Sequence, residues 1–456
     1  VRRPIEVRRW LPFAAAAAAW IASWFPVDVP MVVGVAGLGA LAVVRRPVLV
    51  VALVAASVTV FAGNAMTGLE PLAVTRWSGE AVLASDPVTR GTGVSVDVRT
   101  EVGRMELVAW GPAGRVVSER SAGDVVWMEG DLGPPRSSQQ WRHVRARIAA
   151  ERVRSIGETH WTMWVPNAIR ASIVNGAQRL PAKQRPVYTG FVLGDDRGRS
   201  DEVTEWFRAA GLSHLLVVSG QNLVFVMVLV EPVLSRLGRR WRMAATMLVL
   251  VGFVSVTRFE PSVLRASAMA AVSALAVVHG RPADGRRILA IAVCALILLD
   301  PLLTRSIGFQ LSVAASAGIV LMAAPIERRL RGPARLRAIL AVTIAAQLGV
   351  APVLIPRFGP MPLVAVPANV LVEPVAGLVM MWGSSVGLVA GVLGGPVATV
   401  LLAPARLGLW WIIGVARLAS SLPPVGVGPV AVLGATVMVG ARLALRRRRH
   451  ADHPVT

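Results

Sequence analysis

The sequence predicts a polytopic α-helical membrane protein of about 12 transmembrane helices, with a small all-β domain inserted outside the membrane. Three observations carry that prediction. The 456 residues are 54% hydrophobic and 16% charged, with a mean hydropathy of +0.60, an apolar excess well above that of a soluble domain. Arginine clusters recur between the apolar runs. One stretch, residues 67–165, abandons continuous apolar runs for alternation.

The net charge of +22 is almost wholly arginine, because Lys183 is the only lysine. Such a total suits nucleic-acid binding or the cytoplasmic loops of a membrane protein, so position has to decide. The single cysteine, Cys294, rules out an intrachain disulfide and any Cys-based metal site.

Residues 1–66 read as N-terminal transmembrane helices at 10–25, 29–44 and 47–65, the first a signal anchor rather than a cleaved leader. Arg2, Arg3, Arg8 and Arg9 precede the first run, and Arg45 with Arg46 separates the second from the third. The positive-inside rule puts both groups in the cytoplasm and the following domain outside. In residues 67–165, "SGEAVLAS", "GVSVDVRT", "GRMELVAW" and "GDVVWMEGDL" alternate apolar with polar residues between turn signals. About five strands suit a small OB-like barrel, and a small sandwich would read alike. Trp110, Trp127 and Trp141, with Trp77 and arginines such as Arg145 nearby, are candidate stacking platforms for single-stranded bases. Core filling or membrane contact is the favoured reading of these tryptophans.

Residues 166–210 hold an amphipathic helix and the segment leading to the core. In "NAIRASIVNGAQRL", Ile169, Ile173, Ala177 and Leu180 share one face while Arg170 falls on another, which predicts a helix lying flat at the membrane. Residues 211–445 read as the membrane core, with spans near 211–234, 243–257, 261–279, 288–300, 307–325, 338–356, 363–381, 384–403 and 427–445, and 446–456 as a basic cytoplasmic tail. Every second loop is Arg-rich if "PARLGLWWIIGVARLASSLPP" lies on the outer surface.

Within these spans Asn222, Glu231, Arg265, Gln310, Gln347, Asn369 and Glu373 are costly in lipid and so should face a protein-lined or wet interior. Six prolines between Pro352 and Pro374 predict broken helix, with Asn369 and Glu373 lining a path. Gly383, Gly387, Gly391 and Gly395 form a stripe for close helix packing, within one bundle or, less favoured, in a homo-oligomer. Ser219 with His214 could suggest a hydrolase, but five residues put them on different faces of a helix, and no histidine pattern holds a metal. No enzyme, cofactor or metal is expected.

"FVLGDDRGRSDEVTEWFRAAGLSHLLVVSGQNL" resembles the signature of the ComEC-type competence DNA-uptake channels. "PSVLRASAMA", "GFQLSVAASAGI" and "IPRFGPMPLVAVPANVLVEP" are similar to that family's later blocks in the same order. On this resemblance Gly194, Asp195, Gly211, His214, Ser219, Gly220, Arg265, Gln310 and Asn369 occupy family positions. Gln221 and Asn222 stand where many relatives have Leu-His. The resemblance implies passage of single-stranded DNA across the cytoplasmic membrane in natural transformation, with both termini inside and the OB-like domain extracytoplasmic. It implies membrane lipids, an extracellular DNA receptor and a cytoplasmic helicase-like motor as partners. Many relatives also carry a metallo-β-lactamase-like domain; this sequence ends at "RRRRHADHPVT" without one, so strand degradation is expected of a separate protein. The rival reading is a transporter of a small or lipid-linked substrate on the same scaffold.

Overall fold

In the structure, a computed structural model describing residues 4–41, 46–70, 72, 74–135, 137–157, 159–280, 284–422 and 426–427, the first apolar runs form α1 (Pro4–Ala22), α2 (Met31–Ala40) and α3 (Pro47–Thr67). Pro47 opens α3, where its missing N–H and fixed φ cost nothing.

The alternating region folds into β1 (Arg76–Leu83), β2 (Val88–Arg90), β3 (Gly93–Thr100), β4 (Gly103–Trp110), β5 (Val125–Gly133) and β6 (Val144–Gly157), with α4 (Gly111–Ser118) between β4 and β5. The strand order is β1-β5-β6-β4-β3, and β1 pairs again with β3 through Val82↔Arg99 and Leu83↔Val98. That second pairing closes five strands into a barrel and rejects the sandwich. Only the β4–β6 pair is parallel within the barrel. Closure removes the free edges that an open sheet would expose. The interior follows the alternation: Val96, Val98, Met105, Leu107, Val126, Met128 and Ile148 are buried in one cluster. The β2 strand, a three-residue arm hydrogen-bonded to β3, was too short to show as alternation.

Beyond the barrel come α5 (Trp164–Ala177), α6 (Arg185–Leu193) and α7 (Asp201–Ala209). One part of the expectation for α5, that Arg170 lies off its buried face, is corrected here. Pro166, Arg170, Ile173, Gly176 and Ala177 are its buried residues, so its inner face contains the arginine that the helix was expected to hold outward. Arg170 reaches ionic and carbonyl partners there, which offsets the cost of burying its charge.

The core helices are α8 (Gly220–Leu234), α9 (Arg239–Val256), α10 (Pro261–Val278), α11 (Gly285–Leu299), α12 (Ile307–Glu327), α13 (Ala334–Phe358), α14 (Ala365–Leu393), α15 (Gly395–Leu401) and α16 (Ala403–Ser420). Among the described residues five helices are long and apolar enough to span a membrane: α3, α10, α12, α13 and α14; the bent pair α15 and α16 would make six. Of the other expected spans, Trp10–Ala22, Met31–Ala40, Gly220–Leu234 and α11 are shorter helices, α9 has 18 residues but opens on Arg239, Arg240 and Arg242, and 427–445 lies with the tail 446–456 outside the described residues, apart from Val427.

Two expected spans, 363–381 and 384–403, are instead one 29-residue helix, α14, followed by α15. At ~1.5 Å per residue that helix is ~43 Å long, more than the hydrocarbon core needs. The expected proline breaks are also fewer. Pro352 and Pro356 sit inside α13 and Pro374 inside α14 without ending either helix; the chain leaves helix only between Phe358 and Ala365. Neighbouring helices can take up a carbonyl freed by proline, which is why proline is tolerated in membrane helices.

Three of the four stripe glycines, Gly383, Gly387 and Gly391, lie on α14 and are covered within the chain, whereas Gly395 falls in α15 with nothing within 4 Å of its Cβ position. A Cβ at Gly387 would stand 2.0 Å from the Tyr188 hydroxyl, and one at Gly391 would stand 1.7 Å from the Ser172 carbonyl oxygen. The stripe lets α5 and α6 approach α14 closely, the favoured of its two readings.

By its own packing the chain divides into two units. The first holds residues up to 200, 214–309 and 376–410; the second holds 201–213, 310–375 and the rest.

Candidate functional site

In the first unit, a buried ionic cluster ties the barrel to the helices that follow it. Arg170 Nη2 lies 2.6 Å from Asp86 Oδ2 and 3.7 Å from Asp195 Oδ2, while its Nη1 donates to the Leu193 and Val256 carbonyls at 2.8 Å each. Arg258, in the turn between α9 and α10, donates to Asp86 Oδ1 at 2.8 Å and to Asn167 Oδ1 at 2.6 Å. Arg258 and Phe259 both adopt positive φ, 57° and 59°, a strained pair that the ionic contacts hold in place. Burial alone would raise the Asp86 carboxyl, but Arg170 and Arg258 outweigh it and hold Asp86 well below the usual carboxylate range.

The Leu-Gly-Asp turn is built on the same cluster. Gly194 ends α6 in the left-handed conformation at φ 70°, which glycine adopts without steric cost. Asp195 then accepts from Arg197, at 3.1 Å from its backbone N–H and 2.8 Å from Nε. That bond raises the Arg197 guanidinium further.

The polar residues before α8 chiefly satisfy backbone. Ser219 caps α8, its Oγ accepting from the Gln221 N–H at 3.3 Å. Asn222 is fully buried and donates to the Phe191 carbonyl at 2.5 Å, while its Oδ1 finds no partner among the described residues. Ser262 of α10 donates to the Val218 carbonyl at 2.7 Å, and Arg199 donates to that of Leu216 at 3.3 Å. His214 is exposed in the 3-10 turn Ser213–Leu216.

Arg265 comes to this same N-terminus of α8. A Cβ at Gly220 would stand 2.7 Å from Ala266 Cβ and 3.1 Å from Arg265 Nη2, so glycine at the first turn of α8 lets α10 bring a guanidinium against it. Gln221 is exposed beside it. Arg265 and Gly220 therefore meet at the positive end of α8, next in sequence to the cap Ser219 and the exposed Gln221.

The second unit holds the other sequence candidates. Gly211, at φ 69°, packs against the start of α14, where a Cβ would meet Ala365 Cβ at 2.4 Å. Asn369 is buried and donates back to the Ala365 carbonyl of its own helix at 2.6 Å. Gln310 is buried and Glu373 half-buried.

The barrel candidates lie at different places. Trp110 is 45% exposed at the end of β4 and covers Gly93. Trp127 faces outward on β5 with Arg154 6.0 Å from its ring centroid, a cation–π distance. Trp141 is half-buried with Arg142 4.9 Å from its ring, and Arg145 donates to the Glu70 and Val102 carbonyls at 2.6 and 3.0 Å. The barrel end near Trp141 is tied down through His143 Nε2 and Asp300 Oδ1, 3.0 Å apart, and through Arg305 donating to Gln140 Oε1 at 3.0 Å.

The Arg170 cluster is what sequence reasoning missed. One signal was present: Pro166, Arg170, Ile173, Ala177 and Leu180 repeat at 4-3-4-3 spacing, a single helical face. Nothing in the sequence announced Asp86 or Arg258 as its partners.

Comparison with known proteins places the N-terminus of α8 in a recognised region. The Competence protein family matches residues 191–449, starting at Phe191, the residue whose carbonyl holds Asn222. ComE operon protein 3 of Bacillus subtilis (strain 168) is 27% identical over 259 residues, which are 55% of this chain and 32% of that relative. The chain thus spans about a third of the length of the curated relative it matches.

Proposed function

The chain belongs to the Competence protein family, and from that premise we propose that it carries single-stranded DNA across the cytoplasmic membrane during natural transformation. The observation that carries the reading is the N-terminus of α8 inside the matched region, where Arg265 is held against Gly220 beside the cap Ser219; in this reading it is the mouth of the path. A DNA strand needs a polar, cationic path, and an arginine held beside a helix N-terminus supplies one.

In this reading the five-stranded barrel is an OB-type domain on the outer side. It receives the strand from an extracellular receptor, with Trp127 and Arg154 offering a stacking face. Both termini lie in the cytoplasm, where a helicase-like motor draws the strand inward. In this scheme the α8 mouth binds and orients the strand.

The test is uptake of labelled DNA in a naturally competent host whose own channel gene is deleted and replaced by this chain. Restored transformation is expected, falling by about tenfold or more for Arg265→Ala at unchanged abundance, the scale of one lost charged contact of ~1.5–3 kcal/mol. Failure of the chain, present at normal abundance, to restore uptake would remove the channel and leave the small-substrate transporter.

A further inference from the structure

Between α1 and α3 lies an open groove of about 660 Å³, within the ~300–1,000 Å³ range of small-molecule sites. Trp10, Leu11 and Ala14 of α1 and Val48, Val51 and Ala52 of α3 line it. Every one of these side chains is apolar or aromatic. Trp10 is 57% and Val48 78% exposed, and the short side chains of Ala14 and Ala52 are exposed between them. The groove is therefore a depression flanked by larger residues and left uncovered by the described residues.

The lining residues come from the first turns of α3 and the N-terminal half of α1, so both helices present the same end to the groove. That end is basic. Arg46 is exposed at the N-cap of α3, directly before the groove-lining Pro47. Arg8 and Arg9 occupy the turn of α1 just before Trp10, and Arg45 precedes Arg46 in the sequence. The Val48 and Leu49 amides, in the first turn of α3, have no acceptor within the helix and add to the positive end.

We infer that this groove holds the acyl chains of an anionic glycerophospholipid of the inner leaflet, whose phosphate sits at Arg46. An apolar trough ending in a cationic rim matches the two-part chemistry of such a lipid. A second copy of the chain fits poorly, because a symmetric contact through this patch would set arginine against arginine. The inference concerns the N-terminal helices and does not rest on the DNA reading.

The experiment is native mass spectrometry of the full chain in detergent, with phosphatidylglycerol or phosphatidylcholine added. About fivefold greater adduct occupancy is expected for the anionic lipid, the scale of one cationic contact at a membrane surface. Arg46→Gln is expected to abolish that preference while keeping weak binding of both lipids. Ala52→Phe, which fills the trough, is expected to reduce adducts of both. Equal occupancy by the two lipids on the unaltered chain, or a preference unchanged in Arg46→Gln, overturns the inference. So does a dimer that Ala52→Phe dissolves, which would assign the groove to a second copy. If Ala52→Phe fails to fold, the exposed Arg46 substitution decides alone.

Discussion

Arg170→Ala is expected to lower the stability of the purified chain by about 3–5 kcal/mol, the usual cost of breaking a buried ion pair from one side. Asp86 and Asp195 would lose a cation, and the Leu193 and Val256 carbonyls would lose their donor. Arg170→Lys should rescue only part of the loss, since a lysine cannot form the planar fork that serves two carboxylates and two carbonyls. Thermal unfolding in detergent, followed by protease sensitivity of the barrel, reads both effects. A loss under ~1 kcal/mol, the level of an exposed pair, would show that the cluster does not hold the barrel in place.

The same cluster sets a pH dependence whose sign follows from Asp86. Its folded pKa is depressed, so its contribution is complete above the unfolded carboxyl value of about 3.9 and is lost as the pH falls below that. The unaltered chain should lose stability on acidification below about pH 4 more steeply than Asp86→Asn does.

Gly391→Val has the second large expected effect. The added side chain would enter the Ser172 backbone, where even a Cβ stands 1.7 Å from the carbonyl oxygen, and overpacking against immobile backbone should exceed the usual ~1–3 kcal/mol. Gly414→Ala is the matched control. It lies in α16 with nothing within 4 Å of its Cβ position, so it should stabilise by up to ~1 kcal/mol through helix propensity alone. Folded yield and melting temperature check the pair. Equal effects at the two glycines would mean that α14 does not pack on α5 through its stripe.

What could be read from the sequence depended on whether the signal was local. Alternation in "GVSVDVRT" and "GRMELVAW" is a local pattern, and β3 and β4 fall on it. Barrel closure is not local, because it depends on Val82 meeting Arg99 and Leu83 meeting Val98. The prolines misled for a related reason. A proline breaks an isolated helix, yet whether α13 tolerates Pro352 and Pro356 is settled by what surrounds it. Arg170 was placed on a polar face because charge normally goes outward, and only its distant partner Asp86 makes the inward orientation affordable.

The α8 mouth was legible in part. Ser219 and Gly220 stood out as family positions, while the structure adds that Ser219 caps α8 and that Arg265, 45 residues on, is the neighbour that approaches Gly220. Asn222 stood out as a polar group near the membrane, but its bond to the Phe191 carbonyl makes it a structural tie on one side. Asn369 likewise bonds its own helix at Ala365. A polar residue within an apolar run thus marks a place where backbone needs a partner as readily as a place where substrate passes.

The central claim is that the strand passes the α8 mouth, and crosslinking tests it most directly. A photoreactive residue in place of Gln221, exposed beside Gly220, is compared with one in place of Val228, 62% exposed farther along α8. Labelled DNA entering a competent host that carries each variant should crosslink at position 221 and not at 228. Capture at neither position, or equal capture at both, while uptake continues would contradict a route through this mouth.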